Sequence, residues 1–462
     1  MTYFYEGPLS EGSVVAQIFL YYGISHAGKG NADWLMTLSS DGELYLKGPG
    51  GFSEKAKVSS RGELVHSVME IFAAKTGKPL GPWGELLGMR PTKALWRFLS
   101  EPDWEEKSRS YLRQKQVSKE TENLLIDTVS RQINVMRSDS ARNISFYTHV
   151  PFCVGHCAYC SFPSVITEEG AGLDVYTESL CKDIEAAGHL LDKARLFVTS
   201  LYMGGGTPTI LTSSQLKRVL SEISRAVPAA SRKEWTVEAG RPDTITEEKL
   251  SVMKEAGVNR ISVNPQTMQD RILKRISRGH TRADIESVMQ MVRRWDFRTV
   301  NMDFICGLPG QRLSDMAENL DVICQIRPEN VTIHTLAIKR GSPFFGHESE
   351  WDLPPSEEVS EMLSLCRKRL LDAGYHPYYL YRQKYMTDDF ANVGYALSGH
   401  DSVYNIEVIG EHRHVLGTGA GSVTKRVVDS YRLEKLYMPK NPAVYAGRLD
   451  ELCSKRNHLF LQ

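Results

Sequence analysis

Between about residues 143 and 336 one pattern recurs: a short apolar run, then a longer amphipathic stretch at helical spacing. The runs are Ile144 to Val150, Val198 to Met203, Trp235 to Glu238, Arg260 to Asn264, Val300 to Ile305 and Val331 to Leu336. Leu216 to Ala226 and Ile285 to Arg294 are two of the intervening helices. Strands joined in this way must run parallel, because a parallel pair needs a long crossover and a hairpin does not supply one. The expectation is an α/β fold with a partial (β/α)6 TIM-like barrel over residues 143–349. Barrels of this kind carry their chemistry at the C-terminal ends of the strands.

Three further regions flank the repeat. Residues 1–78 read as a small α+β unit. Val14, Val15, Ile18 and Phe19 mark one helix, and Leu64, Val65, Val68, Met69 and Phe72 a second. Between them Trp34, Met36 and Leu38 alternate with polar residues, Asp41-Gly42 turns the chain, and Leu44 and Leu46 return. Residues 79–142 form a helical linker region, in which Lys93 to Leu99 can begin a helix; Arg90 and Lys93 there suit either an anionic group or a solvated surface. Residues 350–462 read as a separate C-terminal lid or substrate domain. Its tyrosine-rich stretch, YHPYYLYRQKYM, suits either a flat aromatic pocket, with Arg382 and Lys384 meeting carboxylates, or packing against the barrel.

Composition narrows the partners. Lys plus Arg and Asp plus Glu both total 56 in 462 residues, so no basic excess points to nucleic acid. The N-terminal residues lack a basic and then apolar leader, and no run approaches the ~20 apolar residues of a membrane span. A soluble cytoplasmic protein without a membrane span is expected. Five of the eight cysteines, Cys181, Cys306, Cys324, Cys366 and Cys453, are dispersed and read as ordinary thiols.

The other three lie together behind the first apolar run, in FYTHVPFCVGHCAYCSF. Cys153, Cys157 and Cys160 make a C-x3-C-x2-C loop. Three thiolates on one loop can ligate three irons of a four-iron cluster and leave the fourth open. An amino-acid chelate such as the amine and carboxylate of S-adenosylmethionine suits that open iron. Structural zinc is the competing reading, though zinc usually takes four ligands in paired spacing. The second run ends in MGGGTPT, where glycines let backbone amides approach a ligand and Thr207 adds a hydroxyl. It has no Lys-Ser/Thr of a P-loop. Glu238, Gln266, Arg278 and Asp303 sit at or beyond later strand ends. Gly417, Gly419 and Gly421 do not make a dinucleotide fingerprint, because the spacing and a βαβ unit are missing.

These segments, with VEAGRPDTIT, RISVNPQTMQ, RISRGH and DFICGLPGQ in the same order, resemble the HemN-type radical S-adenosylmethionine proteins, the oxygen-independent coproporphyrinogen III dehydrogenases and their relatives. The N-terminal unit, WGELLGMRPTK and the YYLYRQKYM…NVGYA stretch are similar to the branch called HemZ.

The resemblance implies a radical S-adenosylmethionine barrel with a HemN-like C-terminal domain, and a 4Fe-4S cluster on Cys153, Cys157 and Cys160. It implies one or two S-adenosylmethionine molecules, contacted by Tyr147, Tyr159, Gly205, Gly206, Thr207 and Glu238. Gln266, Arg278, Asp303 and Ala337 match the positions that meet a second such molecule. It further implies a tetrapyrrole substrate, a reducing donor such as flavodoxin or ferredoxin, and conversion of coproporphyrinogen III propionates to vinyl groups. Arg382, Lys384 and Arg90 are the offered propionate anchors. One departure bears on the reaction: Ser161-Phe162 stands where the dehydrogenase has a further cysteine, and phenylalanine is what the haem-chaperone branch carries. A methylase or ring-opening enzyme acting on haem or another aromatic substrate, and a haem-binding chaperone of the same fold, are the rival expectations.

Overall fold

The structure is a computed structural model and describes residues 1–77, 80–137, 142–162, 164–170, 172–228, 232–383, 390–429 and 432–461. The chain divides into two compact units, one taking in Met1–Val129 with a short segment at Arg382, the other running from Ser130 through nearly all the rest.

In the first unit, β1 (Thr2–Glu6), α1 (Leu9–Tyr21), β2 (Ser25–His26), β3 (Trp34–Leu38), β4 (Glu43–Gly48), β5 (Phe52–Lys57) and α2 (Arg61–Thr76) follow one another. The sheet order is β2-β1-β3-β4-β5, and β1 runs parallel to both neighbours. The apolar faces expected for α1 and α2 close on Trp34, Met36, Leu44 and Leu46. Ser60 caps α2 by accepting from the Glu63 amide at 3.2 Å, while Glu63 accepts from the Ser59 amide at 2.7 Å. Such caps are worth about 1 kcal/mol. Lys93 to Leu99 does not begin an α-helix. Two 3-10 turns, Pro91–Ala94 and Trp96–Phe98, stand there instead. The helices α3 (Trp104–Gln114) and α4 (Lys119–Arg137) follow.

The second unit begins with β6 (Asn143–Val150), β7 (Phe152–Cys153), β8 (Val165–Ile166), α5 (Asp174–Ala194), β9 (Phe197–Gly205), α6 (Ser213–Ala226), β10 (Glu234–Gly240) and α7 (Glu247–Ala256). It continues through β11 (Arg260–Val263), α8 (Asp270–Arg275), α9 (Arg282–Arg294), β12 (Thr299–Cys306), α10 (Leu313–Ile326), β13 (Asn330–Thr335) and α11 (Ser356–Asp372). The six expected strands are β6 and β9 to β13, parallel and adjacent in chain order. Amphipathic helices alternate with them. On α6, Leu216, Val219, Leu220 and Ile223 are buried, and Thr212 with Gln215 forms a capping box.

The remaining elements are β14 (His376–Arg382), β15 (Ala391–Ala396), α12 (Val403–Gly410), β16 (His414–Thr418), β17 (Val423–Val427), β18 (Leu433–Tyr437), α13 (Pro442–Gly447) and α14 (Leu449–Leu461). The sequence reading sets this region apart from the barrel, yet its strands join the barrel sheet at both edges. β15 pairs antiparallel with β13, and β16 pairs parallel with β6. Among the described residues the sheet has eleven strands and stays open, from β14 at one edge to β18 at the other. The architecture is a partial TIM-like barrel. Gly417, Gly419 and Gly421 serve the turn from β16 to β17: Gly419 has φ +91°, and a Cβ there would lie 2.3 Å from the His149 carbonyl oxygen. No described helix is long and apolar enough to cross a membrane.

Helix α12 lies beneath the interior of this open barrel, tied by two buried carboxylates. Glu234 accepts from Ser402 Oγ and the Val403 amide, both at 2.8 Å, at the start of α12. Glu407, from α12, accepts from Ser145 Oγ at 2.7 Å and Ser200 Oγ at 2.8 Å on β6 and β9. A third buried carboxylate holds the C-terminal helices. Asp183 meets Arg456 at 2.6 Å, with both side chains 0% exposed, and accepts from Tyr445 Oη at 2.6 Å and the Gly419 amide at 2.9 Å.

Removing one member of a buried ion pair leaves the other charge uncompensated, at a cost of about 3–5 kcal/mol. Arg456→Met is therefore expected to lower the unfolding free energy by that much, read as a lower denaturant midpoint at unchanged slope. A loss below about 1 kcal/mol, the range of exposed pairs, would show that Asp183 is satisfied without its cation.

Candidate cofactor-binding site

The parallel register brings the ends of β6, β9 and β10 side by side. Thr148 pairs with Met203 and Val150 with Gly205, while Val237 on β10 pairs with Met203. The cysteine loop leaves β6 and the glycine turn leaves β9 at this edge. Backbone hydrogen bonds lock them together: the Gly206 amide donates to Val150 O at 2.8 Å and the Thr207 amide to Phe152 O at 2.7 Å. A Cβ on Gly206 would lie 2.4 Å from Phe152 O and 3.0 Å from Cys153 Sγ, so only glycine permits this approach. Thr207 is buried, and its Oγ1 donates to Cys153 Sγ at 3.4 Å.

The far half of the loop rests on α8. The Ala158 amide donates to Ile276 O at 3.0 Å, and Ala158 packs with Ile272, Ile276, Ile305, Leu308 and Leu336, with half-buried Tyr159 against them. Ala337 follows Leu336 beyond the end of β13. Cys157 is buried, while Cys153 and Cys160 are partly open. Burial pushes the Cys160 thiol up, and the neighbouring Cys157 and Cys153 add to the shift. Arg278 Nη1 reaches Cys157 Sγ at 3.5 Å.

The interior wall is made of alternating strand residues together with Tyr404 of α12. Tyr202 and Tyr404 stack at 4.3 Å, with Tyr147 stacked on both at 6.2 Å. The Tyr202 hydroxyl donates to Glu238. Asn301 Nδ2 donates to Asp303 Oδ1 at 2.8 Å, and His334 Nε2 stands 3.7 Å from Asp303 Oδ2. A cavity of about 240 Å³ separates these groups. Burial pushes the Glu238 carboxyl up to about 7, opposed by the Tyr202 hydrogen bond and reinforced by Asp303. Burial acts the same way on Asp303, but hydrogen bonds from His334, Asn301 and Thr332 outweigh it and hold that carboxyl low. Gln266, at φ +73°, bridges to β12 through its amide on Asp303 O at 2.9 Å.

These residues fit the cluster and the S-adenosylmethionine that the cysteine motif calls for. Among the described residues, Gln266 Oε1 and Arg278 Nε are buried without hydrogen-bond partners, a costly arrangement unless a polar ligand completes it. Among them, too, no three His, Cys, Asp or Glu side chains close on a single ion. A cluster does not need that, because each thiolate takes its own iron.

The offered propionate anchors lie elsewhere. Arg382 and Arg90 belong to the first unit. The Arg382 guanidinium is buried over Trp83, 4.9 Å from the ring centre, and donates to Leu86 O at 2.6 Å. Burial lowers its pKa to about 10. There it satisfies a loop carbonyl. Lys384 lies outside the described residues. Tyr375, Tyr378 and Tyr379 are buried, as packing against the barrel predicts. Tyr202, Arg241, His334 and Tyr404 complete the site and were not singled out from the sequence. Tyr202 had a signal: it stands two positions before Gly204 on an alternating strand and so shares its face.

Residues 147–323 match the Radical SAM superfamily. The chain is 34% identical over 381 residues to the oxygen-independent coproporphyrinogen-III oxidase-like protein HemZ of Bacillus subtilis (strain 168), covering 81% of this chain and 76% of that protein. It is 29% identical over 281 residues to the heme chaperone HemW of the same organism, covering 60% and 70%. The solved coproporphyrinogen III oxidase (HemN) from Escherichia coli shares the fold with a TM-score of 0.54 at 20% identity, over 69% of this chain and 72% of that one. The open barrel, the cysteine loop at its C-terminal edge and the extent of the HemZ match together place this chain in the HemN/HemZ family of radical S-adenosylmethionine proteins.

Proposed function

We propose that the protein is a radical S-adenosylmethionine oxidoreductase that converts propionate side chains of coproporphyrinogen III to vinyl groups without oxygen. The observation that carries this reading is the cysteine loop locked to the glycine turn beside an interior wall of Glu238, Asp303 and three stacked tyrosines. When bound, the cluster and S-adenosylmethionine supply a carbon radical able to take hydrogen from an unactivated carbon.

The chain's part is holding and shielding. Cys153, Cys157 and Cys160 hold the iron. Gly205, Gly206 and Thr207 would hold the methionine end of S-adenosylmethionine, and Glu238 would accept from its ribose hydroxyls. Gln266, Arg278, Asp303 and Ala337 are placed to meet a second ligand molecule. The propionate would give up one hydrogen atom to the adenosyl carbon and its carboxylate as carbon dioxide, and the remaining electron would pass to an external one-electron acceptor, leaving the vinyl group. A low-potential flavodoxin or ferredoxin is the reductant that fits.

One observation favours a second reading, a haem carrier of the same fold. Phe162 is 55% exposed at the end of the cysteine loop, where the dehydrogenase pattern has cysteine, and HemW proteins are among the relatives.

Anaerobic incubation of the iron-reconstituted protein with reductant, S-adenosylmethionine and coproporphyrinogen III separates the readings. Stepwise loss of carbon dioxide mass from the tetrapyrrole is expected. Unchanged tetrapyrrole with tightly retained haem would select the carrier, and methyl gain a methylase. Replacing Cys153, Cys157 or Cys160 by Ala is expected to bring 5′-deoxyadenosine to background; production at the parent rate would defeat the assignment of the loop.

Glu238 gives the site a pH dependence. A hydroxyl-donating ligand favours the charged carboxylate, so affinity for S-adenosylmethionine is expected to rise as pH passes upward through about 7. Glu238→Gln should bind with no such rise, which calorimetric titration below and above that pH will read. In the ligand-free fold the sign reverses for stability. The native state keeps the Glu238 proton where the unfolded chain has lost it, so between 4.5 and about 7 this residue makes stability fall as pH rises. The variant should show a shallower fall over that window; parallel curves would mean that Glu238 titrates normally.

A further inference from the structure

Two guanidinium groups face the same buried thiol. Besides Arg278, Arg241 points Nη1 at Cys157 Sγ from 4.0 Å, and Arg241 is itself 5% exposed. Its orientation is fixed from behind: Nε donates to Asp243 Oδ1 at 3.0 Å and Nη2 to Asp243 Oδ2 at 2.7 Å, leaving only Nη1 to turn toward the cysteine loop. Glycines lie on both sides of the guanidinium, and Gly279 makes the space. A Cβ on Gly155 would lie 3.5 Å from Arg241 Nη1, and one on Gly279 would lie 2.9 Å from Nη2. Asp243 binds the far edge of the guanidinium, so the pair presents its positive end to the sulfur.

We infer that Arg241 is a positioning residue that raises the reduction potential of the iron–sulfur cluster by directing a fixed, buried positive charge at the Cys157 thiolate. The inference rests on the reading of Cys153, Cys157 and Cys160 as the cluster ligands. A cluster on thiolates becomes more negative by one unit when it accepts one electron from a low-potential iron–sulfur or flavin protein. A cation held beside a ligating sulfur in low dielectric stabilises that reduced form more than the oxidised one. Arg278 acts on the same sulfur but has an unpartnered Nε left for a ligand, whereas Arg241 has two of its three nitrogens committed to Asp243 and serves the sulfur alone. The consequence is a cluster reducible by a less strongly reducing donor than a charge-free loop would require.

The test is a redox titration of the reconstituted full-length protein, followed by the electron paramagnetic resonance of the reduced cluster before S-adenosylmethionine is added. Arg241→Gln is expected to lower the midpoint so that about tenfold less cluster is reduced at a fixed potential, which is about 59 mV for one electron. Arg241→Lys, which keeps the charge, should lie between parent and Gln variant. Gly279→Ala, whose Cβ displaces the guanidinium, should lower the midpoint by a smaller amount. A loaded Arg241→Gln protein at the parent midpoint, or Arg241→Lys as low as Gln, overturns the inference. If Arg241→Gln takes up no cluster, Gly279→Ala decides: a lowered midpoint upholds the inference, and an unchanged one overturns it. A parent protein that takes up no cluster removes the reading of the cysteine loop instead.

Discussion

The site depends on a few backbone hydrogen bonds between two loops that leave adjacent parallel strands. The amides of Gly206 and Thr207 bind the carbonyls of Val150 and Phe152, and those amides also begin the turn after β9. Cys153 therefore cannot move without the glycine turn, nor the turn without β6. On its other side, β6 is fixed over Ile144 to Thr148 by β16, from the far end of the sequence. The Tyr176 hydroxyl, 2.6 Å from His149 O, closes the same point from α5. A loop of three cysteines is thus held by its main chain.

How much of this the sequence discloses follows from which interactions are local. The six parallel strands and their helices are legible, because alternation of apolar runs and amphipathic stretches fixes both element and direction. In the first unit the hairpin and both helix faces are legible for the same reason. Strand partners are not. TYFYE is rich in strand-forming residues, but composition does not say where it pairs: β1 sits between β2 and β3, elements at least twenty residues away. The C-terminal strands show the same limit more strongly: periodicity discloses a strand, while the free edges of β13 and β6 decide where it goes. Among site residues, the cysteines and Glu238 are marked by residue type at strand ends. Arg241 is not, because an arginine after a strand is commonplace. Its meaning comes from Asp243 behind it and Cys157 in front.

The lower half of the barrel shows why the C-terminal segment belongs to the site and does not merely cover it. An open sheet with a polar interior exposes strand hydroxyls that no neighbouring strand satisfies. Glu407 collects Ser145, Ser200 and Thr199, while Glu234 caps the start of α12, so the helix is held by hydrogen bonds as much as by apolar contact. Burial pushes the Glu407 carboxyl up, with the hydroxyls opposing, so the helix is anchored by a group whose charge is itself costly. That anchoring sets Tyr404 on Tyr202, and Tyr202 on Glu238. The aromatic wall is therefore built from the barrel and from a helix that follows its last strand in the C-terminal segment.

Along β10 and the turn beyond it the chain changes sign within three residues, from Glu238 to Arg241. Toward the interior lie Glu238 and Asp303, one carboxyl held near neutrality and the other held charged by His334, Asn301 and Thr332. Toward the cysteine loop lie Arg241 and Arg278, both within reach of Cys157. A ligand lying across this edge would meet the unpartnered Nε of Arg278 at one end and hydrogen-bond acceptors at the other. An amino-acid carboxylate is drawn to the first and sugar hydroxyls to the second, while the reverse placement sets a carboxylate against Asp303 and leaves a guanidinium nitrogen buried and unpaired. Charge order along one strand thus favours one orientation of such a ligand, and the same order brings positive charge to the Cys157 thiol.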